Sequence, residues 1–327
     1  ETALQALGNR RLLAFNLPQP WGDAGRPDWV VALFQAQLAR VSGALAFLHT
    51  QHQSAAVLLA RGDNVQLKKE YLLPMTTGEK RLGVGFSHLR HPGPAVITAR
   101  PAGADWVVSG TVPWVTGWGF FPQFILGARL PDDQVLLGLV PLMDQDGSQG
   151  RIACSPPLAL AAMASTQTVQ VTLQDWRLAA DQVVAIRPAD WLHHQDQSGR
   201  VRGAFAPLGC AQGALDCGMA AATDATQPYW HSLEQEWQAC RHALLVALQT
   251  GETATAQTVP LRAWAIDLSL RCSQAAVLTS GGRMHLPGQA AQRLYREALV
   301  YAVSGQTPEI RDACLARVVR PAASPPL

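Results

Sequence analysis

The sequence predicts a multidomain α+β fold, with helices first, a small all-β unit in the middle and a helical bundle at the end. Three observations carry this. Over residues 1–82 apolar side chains recur at three- and four-residue spacing, the period of an amphipathic helix. Between 83 and 187 the chain breaks into short β-type runs separated by turns. From 200 to 320 helical periodicity returns in several successive segments, enough for a bundle. A length of 327 residues suffices for two or three units, each with its own core.

In order along the chain, VVALFQAQLARVSGALAFLHTQHQSAAVLLAR reads as one long helix, with Asp28 after Pro27 as its cap. Gly62-Asp63-Asn64 interrupts it, and a second helix, VQLKKEYLL, is expected to stop at Pro74. AVITARPAGADWVVSGTVPWVTG reads as strand, turn, strand, and FILGARLPDDQVLLGLVPL repeats that theme around Pro131-Asp132-Asp133. TVQVTLQDWRL alternates Val169, Val171 and Leu173 against polar neighbours, the pattern of a half-buried strand. Pro113 and Pro122 mark edges or bulges. Beyond 201, GAFAPLGCAQGALDCGMAAATDAT, WHSLEQEWQACRHALLVALQ, LRAWAIDLSLRCSQAAVLT, AAQRLYREALVYAV and PEIRDACLARVV supply four or five helices.

Composition excludes several classes of function. A net charge of +2 gives no field that would gather nucleic acid or an acidic membrane. No apolar run reaches the ~20 residues of a spanning helix. Six scattered cysteines without a CxxC pair point to a reduced protein of the cytoplasm with buried thiols, and to no structural metal. His49 and His52 stand three apart on a helix without a third ligand nearby, which favours a structural or surface role over a metal site. His193 and His194 are expected in a solvated polar loop. GVG at 83–85 is too short for a dinucleotide loop, and neither GxSxG nor HExxH is present.

Two constellations stand out: GVGFSHLRHPGPA followed by PWVTG, and Ser280-Gly281-Gly282 followed by QRLYREA and SGQTPEIRDACLAR. Leaving GVGFSHLRHPGPA aside, the other four members of these constellations join ARGDNVQLKKEYLLPMTTGEK, MASTQTVQVTLQDWRLAADQVV and APLGCAQGALD as seven motifs in an order and spacing that resemble the acyl-CoA dehydrogenase superfamily of flavoproteins. The resemblance runs over nearly the whole chain. It implies an N-terminal helical domain (1–82, shorter than is usual in the family), a central β-barrel (83–187) and a C-terminal four-helix bundle (200–320). It implies FAD as cofactor, with FMN or a transiently bound reduced flavin as the alternatives, held between barrel and bundle in a homodimer or homotetramer. Trp114 and Thr116 would flank the isoalloxazine, with the Thr116 hydroxyl near N5. Phe86 and Ser87 would supply contacts from the first strand, and Ser280, Gly281 and Gly282 would approach the flavin of a neighbouring subunit. A flat apolar slot with a donor beside N5 is what a flavin requires of its protein.

The chain departs from the family at the catalytic base. Removal of an α-proton calls for a carboxylate, and the family places a glutamate at one of two positions. Here those positions fall on Gly305 and Thr226, and neither is acidic. Asp224, Ser304 and His88 are the candidate substitutes. FSHLRHPGP replaces an acidic stretch, and QPYWHSLEQEWQACRHAL lacks a clear counterpart of the helix that grips the second subunit's cofactor. Three readings stand at this point. One is a flavin-dependent oxidoreductase acting on an acyl thioester-type or related small organic substrate, with an electron-transfer or flavin-reductase partner. The second is a reduced-flavin-dependent monooxygenase of the same superfamily. The third is a non-catalytic scaffold subunit.

Overall fold

The computed structural model describes residues 2–21, 26–91 and 93–319. The chain packs as two units. The first comprises the described residues of Glu1–Arg26, Phe47–Leu160 and Ala164–His194; the second comprises those of Pro27–Ala46, Ala161–Met163 and Gln195–Leu327. The first eighty residues are therefore shared between the two units.

The long helix expected from residue 28 is two helices, α2 (Asp28–Val41) and α3 (Gly43–Arg61), after a short α1 (Thr2–Asn9). Ser42 breaks the run with extended backbone (φ −159°, ψ 108°), and its Oγ accepts the Leu45 N–H at 3.2 Å. Asp28 is the first residue of α2 and does not cap it; its carboxylate pairs with Arg202 instead. Helix α4 (Val65–Thr77) is capped by the Asn64 side chain and runs through Pro74 to the left-handed Gly78. The expected stop at Pro74 fails because Leu72 and Met75 on either side of it are fully buried, and their burial outweighs one missing backbone bond.

Nine strands follow in the first unit: β1 (Leu82–Gly85), β2 (Ile97–Ala102), β3 (Asp105–Val115), β4 (Gln123–Arg129), β5 (Val135–Pro141), β6 (Gln145–Gly147), β7 (Gly150–Cys154), β8 (Val169–Leu178) and β9 (Val183–Arg187). The ladder runs β6-β7-β8-β3-β2-β4-β5-β9, and β1 pairs in parallel with β4. A Cβ on Gly138 of β5 would lie 2.4 Å from Leu178 of β8, so these two strands, not ladder neighbours, face each other across the core. The sheet thus wraps around its own interior, as the expected barrel requires, although among the described residues no ladder joins β6 to β9. Strand β8 alternates as predicted, with Val169, Val171 and Leu173 buried, until a positive φ at Asp175 shifts the pattern to Trp176 and Leu178. Pro113 sits in a register shift between Val112 and Val115, and Pro122 lies just before β4.

One buried cluster joins Leu59 of α3, Leu72 and Met75 of α4, and Leu82, Ile125 and Leu137 of the sheet. His49 and His52 are structural parts of this unit. The His52 Nε2 lies 3.0 Å from the Met75 carbonyl, while its Nδ1 accepts the Leu82 N–H at 3.2 Å. His49 Nε2 lies 2.7 Å from the Leu12 carbonyl. Burial holds both imidazoles at a pKa of about 4. His193 and His194 are exposed as expected, but on a helix, α5 (Trp191–Gly199), rather than a loop.

The second unit is built from α6 (Phe205–Ala220), α7 (Gln227–Gln249), α8 (Thr255–Ser280), α9 (Ala290–Val303) and α10 (Pro308–Val318), with α2 packed on α6. Leu208, Leu244, Ile266, Leu268 and Leu294 form part of its apolar interior. On its flank Arg271 of α8 bonds Glu236 of α7 through both terminal nitrogens and reaches Asp267 on its own helix. Arg317 of α10 closes the network on Asp267.

Candidate functional site

The stretch that carries the aromatic run divides cleanly. Phe121 and Phe124 are buried, and β1 uses Gly85 because a Cβ there would lie 2.8 Å from the Phe124 ring. Trp114 and Trp118 point the other way, 52% and 36% exposed. Thr116, just past the end of β3, turns inward and is only 5% exposed.

The Thr116 hydroxyl belongs to a chain of three. Its Oγ1 lies 3.0 Å from Thr168 Oγ1, which lies 3.0 Å from Thr166 Oγ1. Antiparallel pairing of Val115 with Val169 places Thr168 opposite Thr116, and the Gly117 and Trp118 amides donate to the carbonyls of Thr166 and Gln167. Three hydroxyls carry three protons, and two contacts consume only two. Among the described residues no further protein partner reaches these oxygens, so one O–H of the three is available to an acceptor outside the protein. The cluster is therefore a net donor of one hydrogen bond. A ligand atom that accepts there takes up that bond, as a flavin ring nitrogen or carbonyl does, so these residues fit that group.

Beside this strand, Phe86 is a core residue in edge contact with Trp191 at 5.6 Å. Ser87 is half-buried and opens a 3₁₀ turn, Ser87–Arg90, that packs against β3. His88 in that turn is 8% exposed, and its Nε2–H donates to the Gly127 carbonyl at 2.9 Å. That bond fixes the tautomer and leaves Nδ1 as a buried lone pair without a partner. Burial, and then the charges of Arg129 and His91, hold its pKa below the usual histidine value, so the ring is neutral.

The remaining candidates lie in the second unit. The Ser280 hydroxyl donates to the Ala276 carbonyl, and Gly281 ends α8 at φ +64°. A side chain added at Gly281 or Gly282 would meet no protein atom within 4 Å, and both line an open depression of about 390 Å³ with Leu278, His285, Tyr295 and Arg296. Ser304 ends α9; its hydroxyl donates to the Val300 carbonyl and its own carbonyl accepts from Arg262. Gly305 follows at φ +58°, exposed. Arg262 and Ser280 are separated by about 27 Å of α8, so the structure does not bring Ser304 and Ser280 together. Asp224 is exposed in the turn between α6 and α7, and the Thr226 hydroxyl is bound to the Thr223 backbone in that turn. Sequence reasoning missed Thr166 and Thr168. The signal that finds them is the strand register, which no local pattern reveals.

Among the described residues there is no cluster of potential metal ligands and no helix long and apolar enough to cross a membrane. The thiols are free, and burial pushes those of Cys210, Cys240 and Cys272 up to about 12.

Helices, a wrapped nine-stranded sheet and a helical bundle in one chain define the α+β architecture of the described residues. No family model matches the chain. It is 23% identical to the mitochondrial short-chain specific acyl-CoA dehydrogenase of Bos taurus over 351 residues, 96% of this chain and 81% of that protein. It is 20% identical to the 3-(aryl)acrylate reductase of Clostridium sporogenes, across 96% of this chain and 88% of the reductase. A glutaryl-CoA dehydrogenase of Mycobacterium smegmatis, solved in complex with FADH2, superposes with a TM-score of 0.82 at 16% identity, covering 98% of this chain and 87% of that one. These relatives and structural neighbours are acyl-CoA dehydrogenases and a reductase, and they support placing the chain with that superfamily as a flavin-dependent oxidoreductase.

Proposed function

We propose that the chain binds FAD against the end of β3 and oxidises an acyl thioester or a related small organic substrate. The observation that carries this reading is the surplus hydroxyl proton of the Thr116–Thr168–Thr166 chain, two residues along the sequence from the exposed Trp114. When bound, the flavin supplies the hydride acceptor that protein side chains lack. Trp114 offers it a flat apolar surface, and Thr116 offers a donor. His88 is the candidate proton acceptor, since its Nδ1 has no protein partner while Nε2 is committed to Gly127; because Nδ1 is buried, the role requires that substrate binding uncover it. Of the other candidate bases, Ser304 is a neutral hydroxyl too weakly basic to remove an α-proton and Asp224 is exposed to water. Ser280, Gly281 and Gly282 serve an approaching second subunit, for which the open space beside them leaves room. Electrons leave to a carrier protein, and the free thiols suit a reducing compartment such as the cytoplasm.

A second reading is favoured by one observation: neither glutamate position of the superfamily, Gly305 or Thr226, is acidic. Reduced-flavin-dependent oxygenation needs no base for an α-proton. Anaerobic titration of the FAD-loaded chain with short acyl-CoA thioesters separates the readings, and the reverse direction is assayed with enoyl or arylacrylate acceptors. Bleaching of the flavin band supports the dehydrogenase; binding of reduced flavin only, with oxygen consumption, supports the oxygenase. A chain that binds neither form is a scaffold.

A further inference from the structure

Thr116, Thr168 and Thr166 are 5%, 4% and 1% exposed, so the three hydroxyls are largely withdrawn from bulk water and most of their hydrogen bonding is with one another. Every arrangement of two contacts among three hydroxyls leaves one O–H over, and the arrangement decides where it emerges. If Thr116 donates inward, the spare proton is stranded on Thr168 or Thr166, deeper in the unit. If Thr166 donates to Thr168 and Thr168 to Thr116, it emerges at Thr116, two residues along the sequence from the exposed Trp114. Backbone bonds from Gly117 and Trp118 to the carbonyls of Thr166 and Gln167 hold the two segments in register, so the oxygen spacing is built into the fold.

We propose that Thr166 and Thr168 are positioning residues that donate in series toward Thr116, so that Thr116 accepts from Thr168 and turns its own O–H outward to meet the bound ligand as an oriented donor. This rests on the reading that Thr116 flanks a flavin. Each hydroxyl in the series is polarised by the one before it, so Thr116 donates more strongly than an isolated threonine. The relay is distinct from packing, because its whole effect passes through one oxygen.

The test uses the full chain and oxidised FAD, with affinity read from quenching of flavin fluorescence and the environment of the ring read from its visible absorption band. Thr168→Val is expected to weaken FAD binding by about 3- to 10-fold, the equivalent of one hydrogen bond. It should also move the absorption band toward that of Thr116→Val. Thr168→Ser, which keeps the hydroxyl, restores both. In a Thr116→Val background, Thr168→Val causes no further loss, since the relay then has no recipient. Thr166→Val, one step further back, gives a smaller loss of the same sign and serves as the second probe if Thr168→Val does not fold. An unmodified chain that binds FAD while these single variants match it overturns the relay alone. So does a loss from Thr168→Val that persists undiminished in the Thr116→Val background, which is the mark of packing. An unmodified chain that binds no FAD overturns the flavin reading and the relay with it.

Discussion

Trp114 and Thr116 lie two residues apart, which on a regular strand would put them on one face, yet one is 52% exposed and the other 5%. The register shift before Val115 and the end of the strand separate them, making one a wall and the other a buried donor. Trp114→Ala should therefore weaken FAD binding while changing stability by no more than about 0.5 kcal/mol, since an exposed side chain holds little of the fold. Matched FAD titration and thermal melts check this; a large loss of stability with unchanged affinity would mark Trp114 as structural. His49 and His52 act through the fold instead. Their pKa values fall from 6.5 to about 4 on burial, so the unfolded chain takes up protons below pH 6.5 that the native one refuses until about pH 4. The stability they contribute is present above pH 6.5 and drains as pH falls through that window, up to on the order of 3 kcal/mol each. Urea unfolding at pH 7, 5.5 and 4.5 should show that decline, and His52→Gln should flatten it; a pH-independent midpoint would be contrary. Both histidines were legible as helix residues spaced three apart. Their burial was not, because it depends on carbonyls of Leu12 and Met75, distant in sequence.

Among the elements, the β unit was the most legible, because alternation in β8 and turn residues at Pro101–Asp105 and Pro131–Asp133 are local signals. Helix ends were less so. Ser42 carries no strong breaking propensity, but a single serine that caps the next turn suffices to divide α2 from α3. At Pro74 the reverse holds, and tertiary burial carries the helix past a residue that local rules treat as a stop. In the bundle, α7, α8 and α10 meet at Arg271, whose guanidinium is only 25% exposed and bonds two carboxylates. Arg271→Ala removes the cation bonded to both Glu236 and Asp267, leaving Arg317 beside them, and should destabilise the chain by about 1–3 kcal/mol. Salt should narrow the difference only slightly, since partly buried pairs are poorly screened. Denaturant titration at low and high ionic strength measures both; a neutral substitution would show the network to be ornamental.

For the molecule as a whole, the order of textures along the chain and the ordered motifs made the superfamily legible, while non-acidic residues at Gly305 and Thr226, where the resemblance puts the base, kept the reaction open. What local pattern hid is the sharing of the first eighty residues between two packed units and the hydroxyl chain assembled across the β3–β8 register. An apolar row on α9, Tyr295, Leu299 and Val303 at four-residue spacing, is 37%, 47% and 67% exposed, with Leu278 of α8 at 74%. A row of this kind suits burial against a second copy of the chain, as the expected homo-oligomer requires. Light scattering should give a mass above the 35.1 kDa of one chain, and Leu299→Glu should lower it. A monomer at micromolar concentration would remove that expectation.

The proposal to be tested is that the chain binds a flavin against Trp114 and Thr116. Its most direct test is the visible absorption spectrum of the purified full chain during titration with FAD. The account predicts saturable binding of a yellow flavin whose band differs between the unmodified chain and Thr116→Val. No uptake of oxidised or reduced flavin, or identical bands in the two proteins, would contradict it.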